Sequence, residues 1–132
     1  MLQQRPHTIT HPAATRARHR RRHADERLCR LVGGIVASAF GVAARDLRAP
    51  SRGPAPVAFA RQAAMYLGHV VFGLSLNRLG RGFGRDRTTA RHACRTIEER
   101  RDDPKIDRAL GVLETACCDA VAAQHGGRKV QS

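Results

Sequence analysis

Tryptophan is absent from the chain, and one tyrosine with four phenylalanines brings the aromatic share to only 4%. A core built from these residues must be aliphatic and alanine-rich, which suits helices, and few rings remain to stack unpaired bases. Lysine is nearly missing too, with Lys105 and Lys129 set against 22 arginines. Acidic residues number 11 against 24 basic ones, for a formal net charge of +13. That surplus exceeds what solubility requires and points to an anionic partner, and the planar arginine fork suits phosphate and guanine.

No apolar run is long. The longest stretch without formal charge, residues 62–77, is interrupted by Gly68, His69 and Gly73, and it is shorter than the ~20 apolar residues of a membrane span. No apolar segment follows the basic N-terminus, so no secretory signal is read and a cytoplasmic, reducing location is expected. Cys29, Cys94, Cys117 and Cys118 lack C-x-x-C spacing and are expected to be reduced, small core residues that hold no metal. The histidines form no ligand or nucleophile set, no Ser/His/Asp or paired-carboxylate arrangement can be placed, and no G-x-x-x-x-G-K-[ST] loop occurs. The expectation is a protein that is not an enzyme and needs no cofactor.

The 132 residues fit one domain with tails. Residues 1–23 carry Pro6, Pro12 and an Arg/His run without an apolar period, and read as a disordered basic arm. From Ala24 the residues Leu28, Leu31, Val32, Ile35, Val36 and Phe40 recur at helical steps, with Asp25 and Glu26 placed in the first turn and Gly41 at the stop. Residues 43–56, rich in proline and arginine, read as a connecting loop. A largely buried helix is expected from Val57 to about Phe72. Next comes a short helix capped by Ser75 and stopped at Gly82 and Gly84, then a helix from Arg87 to about Arg101 capped by Asp86. A last helix runs from Ile106 to Val121, leaving 24–122 as the domain and 123–132 as a flexible tail. The fold class is all-α.

A short helix, a glycine turn and a capped helix with one apolar and one basic face form the arrangement of a helix-turn-helix, whose second helix enters the major groove by its first turns. Between Ser75 and Arg95, six arginines (78, 81, 85, 87, 91 and 95) meet one acid, Asp86. Thr88, Arg91, His92 and Arg95 gather on the basic face of that second helix, and Arg87 stands at its start.

The residues in this region have a specific order. Ala60-Arg61-Gln62-Ala63-Ala64-Met65-Tyr66-Leu67 is followed by Ser75-Leu76-Asn77-Arg78-Leu79-Gly80 and then Phe83-Gly84-Arg85-Asp86-Arg87-Thr88-Thr89-Ala90-Arg91-His92-Ala93. Together they closely resemble the C-terminal DNA-binding domain of the bacterial replication initiator DnaA, over about residues 26–120. The resemblance implies a Trp-repressor-like helix-turn-helix that reads an asymmetric nine-base-pair box, with Asp86, Thr88, Thr89 and His92 at the base-reading positions. Their chemistry agrees: a carboxylate accepts from cytosine, and threonine offers a hydroxyl and a methyl to base edges. The resemblance also places Arg61 and Gln62 on the DNA backbone, and the first amides of the short helix, at Ser75 and Leu76, against phosphate. Arg85 and Arg95 flank the reading helix, and Arg52 is the candidate for the minor groove.

The chain departs from the family pattern at Arg87, where histidine is usual, at Ala90 for valine, at Ala60 for proline, and in having one glycine, Gly84, where two are usual. Two readings follow. In one, the protein binds double-stranded DNA at box-like sites as a monomer and modulates replication initiation or transcription without ATPase activity. In the other, it is a protein-interaction module that binds the initiator DnaA or its regulators, with little DNA binding of its own. Neither involves a membrane.

Overall fold

The computed structural model describes residues 12–129, with side chains described through Gln124. Five helices account for most of them: α1 (Pro12–Phe40), α2 (Ala55–Val70), α3 (Leu76–Phe83), α4 (Arg87–Arg100) and α5 (Pro104–Lys129), with a short 3-10 helix over Ala44–Arg48. No strand occurs among the described residues, as the aliphatic helical periods require.

α2 is the centre of the bundle. Ten of its residues are buried, from Val57 through Gly68, and it packs against α1, α4, α3 and, more lightly, α5. It starts at Ala55, inside the stretch read as loop. Pro56 sits in the first turn, where no intrahelical partner awaits its missing N–H and its fixed φ favours the helix. Around α2 the core is assembled from Cys29, Val32 and Val36 of α1, Leu79 and Phe83 of α3, Ala90, Ala93 and Ile97 of α4, and Leu110, Leu113 and Cys117 of α5. Phe40 and Phe59 meet edge to face at 5.4 Å, closing the far end of α1 on α2. Of the four free thiols, Cys118 is exposed and the other three are buried as expected.

Three further features differ from the sequence reading. α1 begins at Pro12 rather than Ala24, so residues 12–23, expected as part of a disordered arm, are helical; residues 1–11 of that arm lie outside the described residues. Alanine and arginine are good helix formers, and the segment needs no apolar face because it runs ahead of the core. α5 continues to Lys129 rather than giving way to a tail at residue 123. The connecting loop also contains the 3-10 helix, which buries Leu47.

The longer α1 changes the role of Asp25. It is not a first-turn residue favoured by the helix dipole; it lies mid-helix and is buried. Its carboxylate accepts two hydrogen bonds from Arg78 of α3, from Nη2 and, at 2.8 Å, from Nε, which fixes α1 against the first helix of the helix-turn-helix. Asp25→Ala leaves the Arg78 guanidinium without its partner at a half-exposed junction, and a loss of about 1–2 kcal/mol is expected in urea denaturation. On the other side of the bundle, Arg101 ties α4 to α2 and α5 by donating to Tyr66 Oη at 3.1 Å, to Asp107 at 2.6 Å and to Glu114.

Candidate nucleic-acid interface

Both helix starts of the α3–α4 unit are built as the sequence requires. The Ser75 hydroxyl accepts from the Arg78 amide at 3.2 Å, and the Asp86 carboxylate accepts from the Thr89 amide at 2.7 Å. The Thr89 amide holds the Asp86 carboxyl below its ordinary value, since hydrogen bonding to the charged form favours it. Asp86 therefore caps α4.

The turn between the helices depends on two glycines. Gly84 has φ 65°, the left-handed conformation that ends α3. Gly80 matters for closeness instead of conformation: its carbonyl accepts from the Arg85 amide at 2.7 Å. A methyl there would run into the Arg85 carbonyl oxygen and sit 3.2 Å from the Asp86 carbonyl carbon. Gly82, expected as part of the stop, lies within α3 and lets it approach Cys29 of α1.

With the turn so fixed, α4 buries Ala90, Ala93, Cys94 and Ile97. Arg87, Thr88, Thr89, Arg91, His92 and Arg95 are exposed, together with Asp86. The sequence-read residues of the reading helix thus share one open surface. None of Arg87, Arg91 and Arg95 enters an ion pair among the described residues. Thr89 and His92 also line an open hollow of about 440 Å³ between α4, α2 and the loop, shared with Pro50, Arg52, Gln62 and Arg85. Arg52 is exposed at its rim, Gln62 is half-buried within it, and Leu76 is partly buried behind the exposed Ser75.

Arg61 departs from its expected place. It is 4% exposed, and its guanidinium is taken up inside the protein. Nε donates to the Leu47 carbonyl at 2.7 Å, Nη1 to Arg52 at 3.0 Å, and Nη2 to Asp46 at 2.9 Å and Ser51 at 3.5 Å. Burial first, then the neighbouring Arg85 and Arg52 charges, lower its pKa from the ordinary arginine value. Four of its five N–H groups are engaged by these carbonyls, which hold the loop that carries Arg52 in place.

Arg85 does the same from the other side, through Ala49 at 2.7 Å and Ser51 at 3.2 Å, with weaker contacts to Phe83 and Gly84. Sequence reasoning assigned no role to a third residue of this set. Arg48 donates to the Gly82 carbonyl at 3.1 Å and lies over the Phe83 ring at 5.7 Å. Together the three arginines clamp residues 46–52 to α2 and to the helix-turn-helix.

Among the described residues no helix is long and apolar enough to cross a membrane, and no cluster of side chains suits a metal ion.

Comparison with known proteins agrees with this geometry. A family model described as the bacterial dnaA protein helix-turn-helix matches residues 30–97. The chain is 38% identical over 79 residues to chromosomal replication initiator protein DnaA 1 of Protochlamydia amoebophila, covering 59% of this chain and 17% of that protein. It is 41% identical over 81 residues to DnaA of Burkholderia multivorans, covering 60% and 15%. The chain thus spans only about a sixth of the length of these relatives. Among solved structures, a DNA replication initiation factor superposes with TM-score 0.71 at 29% identity, covering 81% of this chain and 33% of that one. A replication initiator DnaA bound to AMPPCP and single-stranded DNA superposes at 0.69 and 28%, covering 82% and 33%. The capped helix-turn-helix and its ordered motif are thus those of a known group, and the chain belongs to the bacterial DnaA helix-turn-helix family.

Proposed function

We propose that this chain binds duplex DNA sequence-specifically at sites like the DnaA box, and that it modulates replication initiation or transcription by occupying them. The observation that carries this reading is the exposed first two turns of α4. There Thr88, Thr89 and His92 stand among three arginines that have no ion-pair partner among the described residues, on a helix held in place by two caps and a tight turn. Such a surface fits the major groove, with arginines toward phosphates and the smaller polar groups toward base edges.

The base-reading roles of Asp86, Thr88, Thr89 and His92 belong to this proposal, as do the backbone roles of Gln62, Ser75, Leu76 and Arg95 and the minor-groove role of Arg52. Arg87 replaces the usual histidine at the first helical position and shifts the preferred site relative to the family's box. No phosphate loop occurs in the 132 residues, so binding is independent of ATP. One asymmetric site needs one domain, so the protein acts as a monomer and competes with the initiator at shared boxes.

Fluorescence anisotropy on a box-bearing and a scrambled duplex tests the reading. Thr88→Ala and His92→Ala are each expected to cost ~1–3 kcal/mol on the box and little on the scrambled sequence. Equal losses on both would remove base reading from α4.

A further inference from the structure

α1 carries a second basic surface that the helix-turn-helix does not use. Arg18, Arg21 and Arg22 share a face with Asp25 and Cys29, which pack toward α3. Once α1 passes the edge of the core, the face that buries Cys29 and Val32 continues in the same direction as arginine. There it meets Arg78 and Arg81 of α3 across an open hollow of about 290 Å³. A neighbouring hollow of about 220 Å³ extends it past Glu26 and Gly82.

Five arginines from two helices thus face two carboxylates. One of these, Asp25, is already occupied by Arg78, and the other, Glu26, lies 3.9 Å from His23. Arg18, Arg21, Arg22 and Arg81 enter no ion pair among the described residues. Like charges gathered in this way destabilise one another unless an anion neutralises them, and here they converge on a shared hollow instead of spreading around the helix.

We infer that this stripe is a second phosphodiester-binding surface, which holds the DNA backbone outside the bases read by α4. α3, the first helix of the helix-turn-helix, is the element that crosses the backbone in this architecture. Arg81 stands on it, and the α1 arginines prolong the same positive track. Residues 18–25 extend about 12 Å along α1, and one strand of a duplex presents about three to four phosphates over that length. The extent suits a run of consecutive phosphates better than one small anion. Arg78, held by Asp25, positions the track, and Arg18, Arg21, Arg22 and Arg81 contact it. This inference shares the duplex partner of the proposed function but does not depend on base reading.

The test uses the whole chain and two duplexes with the same central site, one ending at its edges and one extended by ~10 base pairs, about one helical turn, on each side. The unaltered protein is expected to bind the extended duplex more tightly. The triple variant R18A/R21A/R22A is expected to lose that gain, about tenfold or more at moderate salt. Its log affinity against log salt on the extended duplex should flatten by about 2–3, while affinity for the short duplex stays unchanged. R18K/R21K/R22K keeps the charge and should keep most of the gain, and circular dichroism of both variants reports whether α1 has stayed helical.

An unchanged salt slope in the alanine variant, or equal losses on both duplexes, overturns the inference, as does an unaltered protein that gains nothing from flanking DNA. A protein that ignores the central sequence yet shows the variant-dependent change in slope refutes base reading and leaves this surface standing.

Discussion

Gly80→Ala is expected to lower folding stability by about 3 kcal/mol, the upper end for overpacking at a tight site, because the obstacle is backbone and cannot change rotamer. The added methyl meets the carbonyl of Arg85 in the turn that sets the angle between α3 and α4. Relief requires opening that turn, which weakens the hydrogen bond from the Arg85 amide to the Gly80 carbonyl and displaces the Asp86 cap. DNA binding should fall with it even where the variant is still folded, because α4 is then misaimed. Thermal unfolding followed by circular dichroism, with a melting temperature lower by roughly 10 °C, checks the first effect. Anisotropy below that temperature checks the second.

Arg61→Met is the other large effect. Methionine can fill the channel of the arginine stem, but it leaves the carbonyls of Leu47 and Arg52 without their donor and takes one of two donors from those of Asp46 and Ser51. With the desolvation of the guanidinium removed at the same time, a net loss of about 2–3 kcal/mol is expected. The decisive readout is in the free protein. Amides of residues 46–54 should exchange with solvent faster in the variant, and affinity should fall on box and scrambled duplex alike. An arginine acting as a phosphate ligand would lower affinity and leave stability and exchange in the free protein untouched.

Local rules made the helix-turn-helix legible in advance. Ser75 and Asp86 precede helices at capping positions, Gly84 follows one at the stop, and Ala90, Ala93 and Ile97 mark a buried face opposite the arginines. The parts that escaped depend on partners distant in sequence. Asp25 reads as a helix-start acid until Arg78, 53 residues away, is found against it. The resemblance places Arg61 on the DNA backbone, and arginine is normally exposed. Only the folded loop supplies the carbonyls that bury it. Gly82 reads as part of a helix stop, and nothing local marks Gly80, yet both leave space, for Cys29 and for the Arg85 carbonyl. The start of α1 at Pro12 was hidden for a different reason: its first turns have helix-forming residues but no apolar period.

The central claim is that one surface, made of the first turns of α4, the start of α3 and the clamped loop, meets duplex DNA. The most direct measurement is an amide NMR titration of the isotope-labelled chain with a box-bearing duplex. Shifts are expected to concentrate at Ser75 and Leu76, across residues 86–95 and at Arg52, with the second half of α5 unaffected. Shifts centred on α5, or spread evenly over the basic residues with none concentrated at Thr88, Thr89 and His92, would contradict it.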